Sequence, residues 1–321
     1  MWSDLKASLK QIPTNGITLR ACERGEGPLV VLVHGWPESW YSWRHQIAAL
    51  EAAGYRALAP DMRGYGGSDA PEEIEAYTMR TMVADVVGLI DAAGVDEAIV
   101  VGHDWGAMIA WHTALLAPER VAAVAAMSVP FTGRAPKPPL ELWREIYRDR
   151  FFYQLYIEPP GRAEADFSAD VETALYKIFC GGMSLKADAG PDAAMLDLID
   201  MPKGFPDWFN ADDLAYMAEQ FRRSGFRGPF NRYRAQNRDW HDLAELDGAT
   251  IDQPSLFVVG SKDPVLRMVP GVDLLAVQEK KLTDRRGVHV IEGCGHWIQQ
   301  QAPDEVNRYL LGFVDAVTGG K

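Results

Sequence analysis

Glu97-Ala98-Ile99-Val100-Val101-Gly102-His103-Asp104-Trp105-Gly106-Ala107 is the stretch that decides how this chain folds. Four apolar residues, Ala98 to Val101, run into Gly-His-Asp-Trp-Gly, and an Ala-rich helical pattern follows from Ala107 to Ala117. A short unbroken apolar run bounded by glycine reads as a strand buried on both faces. The segment therefore reads strand, tight turn, helix, with Asp104 at the apex between Gly102 and Gly106. Flanking glycines allow the backbone to turn sharply and push one side chain out above a sheet, the layout of a nucleophile elbow. Serine is the usual apex residue. Here it is aspartate.

That substitution narrows the chemistry. A serine attacking saturated carbon would give an ether that activated water does not cleave. A carboxylate attacking the same carbon gives an ester whose carbonyl belongs to the enzyme, and the base and oxyanion donors of the site can hydrolyse it. Asp104 thus points to displacement at carbon, with a strained oxygen or a halide as leaving group. The plainer role for an aspartate there is to cap the following helix. The glycines, the preceding strand and the partners below favour the nucleophile.

Outward from the elbow, strands alternate with helices. Ile17 to Cys22 and Pro28 to Val33 read as strands, Trp40 to Ala53 as a helix, and Tyr55 to Ala59 as a strand. An irregular loop follows over Pro60 to Asp69, then an amphipathic helix from Thr78 to Ala93. Val121 to Met127 is the strand after the elbow unit. This alternation predicts an α/β fold with a mostly parallel sheet covered on both faces by helices. From Phe131 to about Trp240 the strand pattern disappears. Aromatic- and Arg-rich helical segments replace it, broken by Pro-Pro at 138–139 and 159–160 and by Gly181-Gly182. Strand logic returns at Pro254–Gly260 and Val288–Ile291, and a helix from Pro303 to Val317 closes the chain. The predicted organisation is one α/β core in two pieces, residues 1–131 and 241–321, interrupted by a helical cap over 132–240.

Ligands of open α/β sheets bind at the carboxyl ends of the strands, so partners of Asp104 are sought there. The strand 255–259 is followed by Gly260-Ser261-Lys262-Asp263-Pro264, and the strand 288–291 by Glu292-Gly293-Cys294-Gly295-His296-Trp297. Asp263 and His296 complete the chain order nucleophile, acid, histidine. His296 is the expected general base and Asp263 its orienting acid. The alternative site for an acid, after Met127, offers Ser128-Val129-Pro130 and no carboxylate. His34-Gly35-Trp36-Pro37 follows the strand expected beside the elbow. The backbone N–H groups of Trp36 and Trp105 are the candidate oxyanion hole, and a cis bond at Pro37 would suit the tight turn.

With those residues in place, the chain resembles an α/β-hydrolase-fold epoxide hydrolase of the soluble type over nearly its full length. The resemblance is carried by His34-Gly35-Trp36-Pro37-Glu38, by Asp61-Met62-Arg63-Gly64-Tyr65-Gly66-Gly67-Ser68, by Gly102-His103-Asp104-Trp105-Gly106 and by Cys294-Gly295-His296-Trp297. In the insertion, Tyr153-Gln154-Leu155-Tyr156 with Glu158-Pro159-Pro160-Gly161, and Asn231-Arg232-Tyr233-Arg234 with Asn237-Arg238-Asp239-Trp240, resemble the family's two cap-tyrosine segments. The resemblance implies that Tyr153 and Tyr233 donate to the epoxide oxygen, with Tyr156 the neighbour most easily mistaken for the first. It implies a cofactor-independent and metal-free reaction on a small apolar epoxide, with Trp36, Trp105 and Trp297 lining the substrate site. Two phenols also make chemical sense, because ring opening creates an alkoxide that needs a hydrogen-bond donor and a proton.

A haloalkane dehalogenase shares the aspartate and the Trp after it, and indole N–H groups suit a halide. The two tyrosine segments favour the epoxide. An esterase is disfavoured by the absence of an elbow serine. A non-catalytic ligand receptor on the same fold predicts a damaged catalytic set, whereas this set is complete. The 321 residues are 47 % hydrophobic and 24 % charged, an ordinary globular composition. A net charge of −13 argues against nucleic-acid or anionic-membrane partners. No signal peptide or membrane span is legible. Three scattered cysteines, Cys22, Cys180 and Cys294, form neither a disulfide framework nor a metal pattern and suit a reduced, cytoplasmic protein, monomer or homodimer.

Overall fold

The computed structural model describes residues 2–181 and 189–319. Gly182, half of the Gly181-Gly182 break, lies outside the described residues. The chain divides into two compact units, one of residues 1–62, 79–133 and 246–321, the other of residues 63–78 and 134–245.

The first unit is built on an eight-stranded sheet. Its strands are β1 (Leu9–Thr14), β2 (Ile17–Arg24), β3 (Leu29–Val33), β4 (Arg56–Pro60), β5 (Ala98–His103), β6 (Val121–Met127), β7 (Ser255–Gly260) and β8 (Arg285–Ile291). They lie in the order β1-β2-β4-β3-β5-β6-β7-β8. From β4 to β8 every pairing is parallel; β1 and β2 are antiparallel additions at one edge. The central strands β3, β5 and β7 are buried at every position, as continuous Val/Leu/Ile runs require when helices cover both faces. Helices Arg44–Ala52, Met79–Ala92, Trp105–Leu116 and Pro303–Thr318 pack on the sheet.

Several elements differ from the sequence expectation. β1 and the short helix Trp2–Ala7 were not anticipated. The expected helix from Trp40 is a 3-10 turn, Trp40–Trp43, running into Arg44–Ala52, and Ser39 Oγ accepts from Tyr41 N at 3.3 Å to start it. β8 begins at Arg285, three residues before its apolar stretch, because Arg285 and Arg286 are exposed on an edge strand.

The second unit is helical. Its helices are Pro139–Tyr147, Tyr153–Ile157, Arg162–Ala169, Val171–Cys180, Ala211–Ser224, Arg227–Arg234 and Gln236–Asp242. No strand occurs among its described residues. Phe167, Phe221, Phe226 and Phe230 form its core, with Phe221 and Phe226 stacked at 4.8 Å between ring centres. Asn210 starts the helix Ala211–Ser224 with a reciprocal cap: its side chain accepts from Asp213 N at 3.1 Å while Asp213 accepts from Asn210 N at 2.9 Å. Among the described residues, no helix of either unit is long and apolar enough to cross a membrane.

Candidate active site

The elbow is built by close backbone approach. A methyl group on Gly102 would sit 2.0 Å from Gly106 O, and one on Gly106 would sit 1.9 Å from Val33 O. Only glycine lets the helix start this close to β5 and to the end of β3. Asp104 turns the corner with φ +53° and ψ −120°, a conformation that costs a non-glycine residue on the order of 1–3 kcal/mol. Strain of that kind persists only where the surroundings enforce it. Its result is that the carboxylate stands at the sheet's carboxyl end, ahead of the N-terminus of the helix Trp105–Leu116, whose first-turn amides favour negative charge.

The loops after β7 and β8 bring two more residues to that end. His296 Nδ1 lies 3.1 Å from both Oδ1 and Oδ2 of Asp263, and His296 Nε2 lies 3.5 Å from Asp104 Oδ2. Asp263 is fully buried and also accepts from Val265 N at 3.0 Å. Burial alone would raise the Asp263 carboxyl, but His296 beside it and the donors it accepts hold it below the ordinary carboxylate range. Burial likewise opposes a charge on His296, yet the paired negative charges of Asp263 and Asp104 override it and raise its pKa well above 6.5. The two carboxylates thus favour the charged imidazolium of His296 between them.

The third partner comes from the loop after β3, which pairs with β5 in the sheet. Trp36 N donates to Asp104 Oδ1 at 2.8 Å. The Trp36–Pro37 peptide bond is cis. Gly35 is required here, since a Cβ on it would lie 2.4 Å from Asp104 Oδ1. His34 Nε2 accepts from Met62 N at 2.9 Å, so Nδ1 carries the hydrogen and donates to Gly35 O at 2.8 Å. That pair of bonds fastens the loop to the chain after β4. Trp105, the other sequence-derived oxyanion donor, is the first residue of its helix, where an N–H has no acceptor within the helix itself. Trp297 stands edge-on to His296 with ring centres 4.7 Å apart.

In the helical unit, Tyr153 and Tyr233 meet edge to face with ring centres 5.7 Å apart. Tyr233 is anchored by its neighbours in sequence. Asn231 Nδ2 donates to Glu72 O at 2.9 Å, Arg232 donates to Tyr77 O and to Asp239, and Arg234 donates to Ile157 O at 2.9 Å and to Glu164 Oε1 at 2.6 Å. Tyr156 is different: its hydroxyl donates to Asp166, and burial together with that carboxylate raises its pKa.

The α/β hydrolase fold family matches residues 28–303. Epoxide hydrolase A of Mycobacterium tuberculosis is 43 % identical to this chain over 317 residues, 94 % of this chain and 96 % of the relative. Epoxide hydrolase B of the same organism is 39 % identical, covering 90 % and 92 %. Among solved structures, an epoxide hydrolase from an endophytic Streptomyces superposes with a TM-score of 0.92 at 43 % identity, over 97 % of this chain and 96 % of that one. Epoxide hydrolase A from Mycobacterium thermoresistibile gives 0.89 at 43 % identity, over 96 % and 98 %. The chain belongs to the epoxide hydrolases of the α/β-hydrolase fold.

This epoxide hydrolase carries a buried polar cluster beneath the site that sequence reasoning did not single out. His103 Nδ1 faces Glu38 Oε2 at 2.7 Å, and His103 Nε2 faces the carbonyl oxygen of His296 at 2.8 Å. Both neighbours are acceptors, so both ring nitrogens carry hydrogen and the ring pairs as a cation with Glu38. Burial would raise the Glu38 carboxyl, but His103 and the other donors bring it down to about 2. Gln299 Nε2 donates to Glu38 Oε1 at 2.8 Å and Gly35 N to Glu38 Oε2 at 3.1 Å. The pair thus ties the elbow strand, the Gly35–Trp36 turn and the backbone of His296 into one unit. The signal for it was the full burial of a Glu and a His inside the His34–Glu38 and Gly102–Gly106 segments, and burial is not written in a single sequence. Among the described residues, no group of three or more His, Cys, Asp or Glu side chains is placed to hold a metal ion.

Proposed function

We propose that the protein hydrolyses an epoxide to a vicinal diol through a covalent ester of Asp104. The observation that carries this reading is the sorting of the two Asp104 oxygens. Oδ1 is held by Trp36 N–H at 2.8 Å, and Oδ2 faces His296 Nε2 at 3.5 Å. In the first step Oδ2 attacks one ring carbon and the C–O bond of the ring breaks. Tyr153 and Tyr233 donate to the ring oxygen, which leaves as the hydroxyl of a hydroxyalkyl ester. Oδ1, held by Trp36 N–H, then becomes the ester carbonyl oxygen, with Trp105 N–H as the second donor of the oxyanion hole.

Ester formation also switches the base on. Asp104 loses its charge when it is alkylated, so one of the two groups raising the His296 pKa disappears. His296, still oriented by Asp263, gives up its proton to solvent and, now neutral, takes one from water, whose oxygen attacks the ester carbonyl. The tetrahedral oxyanion rests on the two N–H groups and collapses with cleavage of the acyl carbon–Oδ2 bond, and the departing oxygen takes the remaining proton of the attacking water to complete the diol and leave Asp104 as carboxylate. The diol keeps Oδ2; the water oxygen stays on Asp104.

The helical segment 132–240 serves as the cap that supplies the tyrosines, and Trp36, Trp105 and Trp297 line an apolar substrate site. The scattered thiols, with buried Cys22 and half-buried Cys180 both pushed up to about 12, support a reducing cytoplasmic setting for a detoxifying enzyme acting as a monomer or homodimer.

The test is a single turnover of excess enzyme with styrene oxide in 18O-labelled water, with chloride release from 1-chlorobutane measured in parallel. Unlabelled diol oxygen, label in Asp104 and no chloride are expected. Label in the first-turnover diol would remove Asp104 as nucleophile. Chloride without diol would make the protein a dehalogenase.

A further inference from the structure

The two cap tyrosines are not equivalent, and the difference lies in the amides around Tyr153. Gln236 Nε2 donates to the backbone carbonyl of Tyr233 at 2.8 Å and to Gln154 Oε1 at 3.0 Å. A backbone carbonyl only accepts, so the Gln236 atom facing it is the nitrogen. The Gln154 atom facing that nitrogen is then the oxygen, which leaves Gln154 Nε2 facing the Tyr153 hydroxyl at 2.9 Å. An amide nitrogen has no lone pair to offer, so Tyr153 Oη accepts. The direction of every bond follows from one backbone carbonyl. Both glutamines are buried, which removes water as a competitor and makes the orientation costly to reverse.

We propose that Gln236 and Gln154 form a fixed amide relay that donates into Tyr153 Oη and makes Tyr153, rather than Tyr233, the phenol that transfers its proton to the opening epoxide. This rests on the epoxide-hydrolase reading and assigns unequal roles within it. The Tyr153 hydrogen is directed away from Gln154. As the ring C–O bond breaks and the Asp104–carbon bond forms, the Tyr153 O–H bond breaks and its proton goes to the former ring oxygen. The negative charge left on Tyr153 Oη is met by the Gln154 N–H already aimed at it, a bond that strengthens as charge develops. Tyr233 donates a hydrogen bond and keeps its proton. The proton that His296 releases when Asp104 is alkylated returns through solvent to the Tyr153 phenolate, and the proton it then takes from water restores its resting state, so the cycle consumes one water and no other reactant. Gln154 and Gln236 are positioning residues: they act on substrate only through Tyr153.

The experiment resolves the two half-reactions. Rapid mixing with styrene oxide gives the rate of ester formation per active site, and decay of the ester gives the rate of its hydrolysis. Gln154→Leu should slow ester formation roughly 10- to 100-fold, the range of a hydrogen bond to a charged group, and leave hydrolysis within about twofold. In a Tyr153→Phe background Gln154→Leu should add less than about twofold, while in a Tyr233→Phe background its effect should persist in full. Gln236→Leu, which frees Gln154 to turn its oxygen to the phenol, should give a smaller loss in the same step. Normalising to sites that form ester separates these effects from a fraction of unfolded protein.

Ester formation by Gln154→Leu at the wild-type rate would overturn the relay. So would equal slowing of both half-reactions, or an undiminished effect in the Tyr153→Phe background. Absence of any ester in the wild-type protein would instead overturn the epoxide reading itself, and the relay with it.

Discussion

The backbone N–H of Trp36 donates to Oδ1 of Asp104 at 2.8 Å. In the proposed mechanism Oδ1 is the atom that carries the oxyanion, so its donor is already in place, while Oδ2 is turned toward His296. The arrangement separates attack from hydrolysis, so removing the base should stop the cycle at the ester. His296→Gln is expected to accumulate protein heavier by the mass of one epoxide, located on the Asp104 peptide by mass spectrometry. Diol formation should fall by about 10⁴- to 10⁶-fold, the range seen when one member of such a triad is removed. A variant turning over near the wild-type rate would show that another group activates water.

The protonation of His296 should follow the charge on Asp104. Asp263 and Asp104 raise its pKa well above 6.5 against the cost of burial. Asp104→Asn removes one of those charges and mimics the ester, so the His296 pKa should fall, as followed by NMR of the imidazole. The folded-state pKa of the wild type exceeds the unfolded value, so this histidine stabilises the fold fully below the unfolded pKa. That contribution is lost as pH rises through the folded pKa. Asp104→Asn should accordingly flatten the alkaline decline in stability. An unchanged His296 titration in the variant would mean that Asp104 does not set it.

The elbow and the two strand-end partners were legible because each depends on local rules. Gly102 and Gly106 mark a close approach, and Asp263 and His296 sit where strands end. The hairpin of β1 and β2 was also written locally, in Asn15-Gly16, whose φ values of +45° and +75° make the two-residue turn. It was missed because Lys10, Gln11 and Pro13 break the apolar pattern, which an edge strand tolerates. Glu38, His103, Gln154 and Gln236 were illegible for a different reason. Their roles come from burial and from bonds between residues 65 or more positions apart in three of the four contacts that define them. A single sequence does not state such pairings.

Tyr153, Tyr233 and Tyr156 should separate cleanly. Tyr153→Phe or Tyr233→Phe is expected to slow ester formation by about 10²-fold, within the range of a lost acid or hydrogen-bond donor, without changing ester hydrolysis. Tyr156 donates to Asp166 and lies within the helical unit's own packing. Tyr156→Phe should leave ester formation unchanged and instead cost about 1–3 kcal/mol of stability by orphaning the carboxylate. Rapid-quench kinetics and denaturant unfolding measure the two effects. Ester formation that depends on Tyr156 but not on Tyr153 would reverse the assignment.

The Glu38–His103 pair should reveal itself through acid. Both side chains are fully buried, and Glu38 is the anion that neutralises the cationic ring supporting the His296 backbone. Glu38→Ala leaves that ring without a counter-charge and should destabilise the protein by about 3–5 kcal/mol at neutral pH. The sign of the pH effect is set by the depressed carboxyl. Its folded pKa of about 2 lies below the ordinary 4.5, so the stabilisation is complete above 4.5 and is lost as pH falls toward 2. Urea unfolding of wild type and Glu38→Ala should therefore show a gap that narrows as pH falls from 4.5 toward 2. A gap that does not change with acid would mean that Glu38 acts as a packed hydrogen-bond acceptor and not as a charge. In that case the cationic assignment of His103 would fail with it.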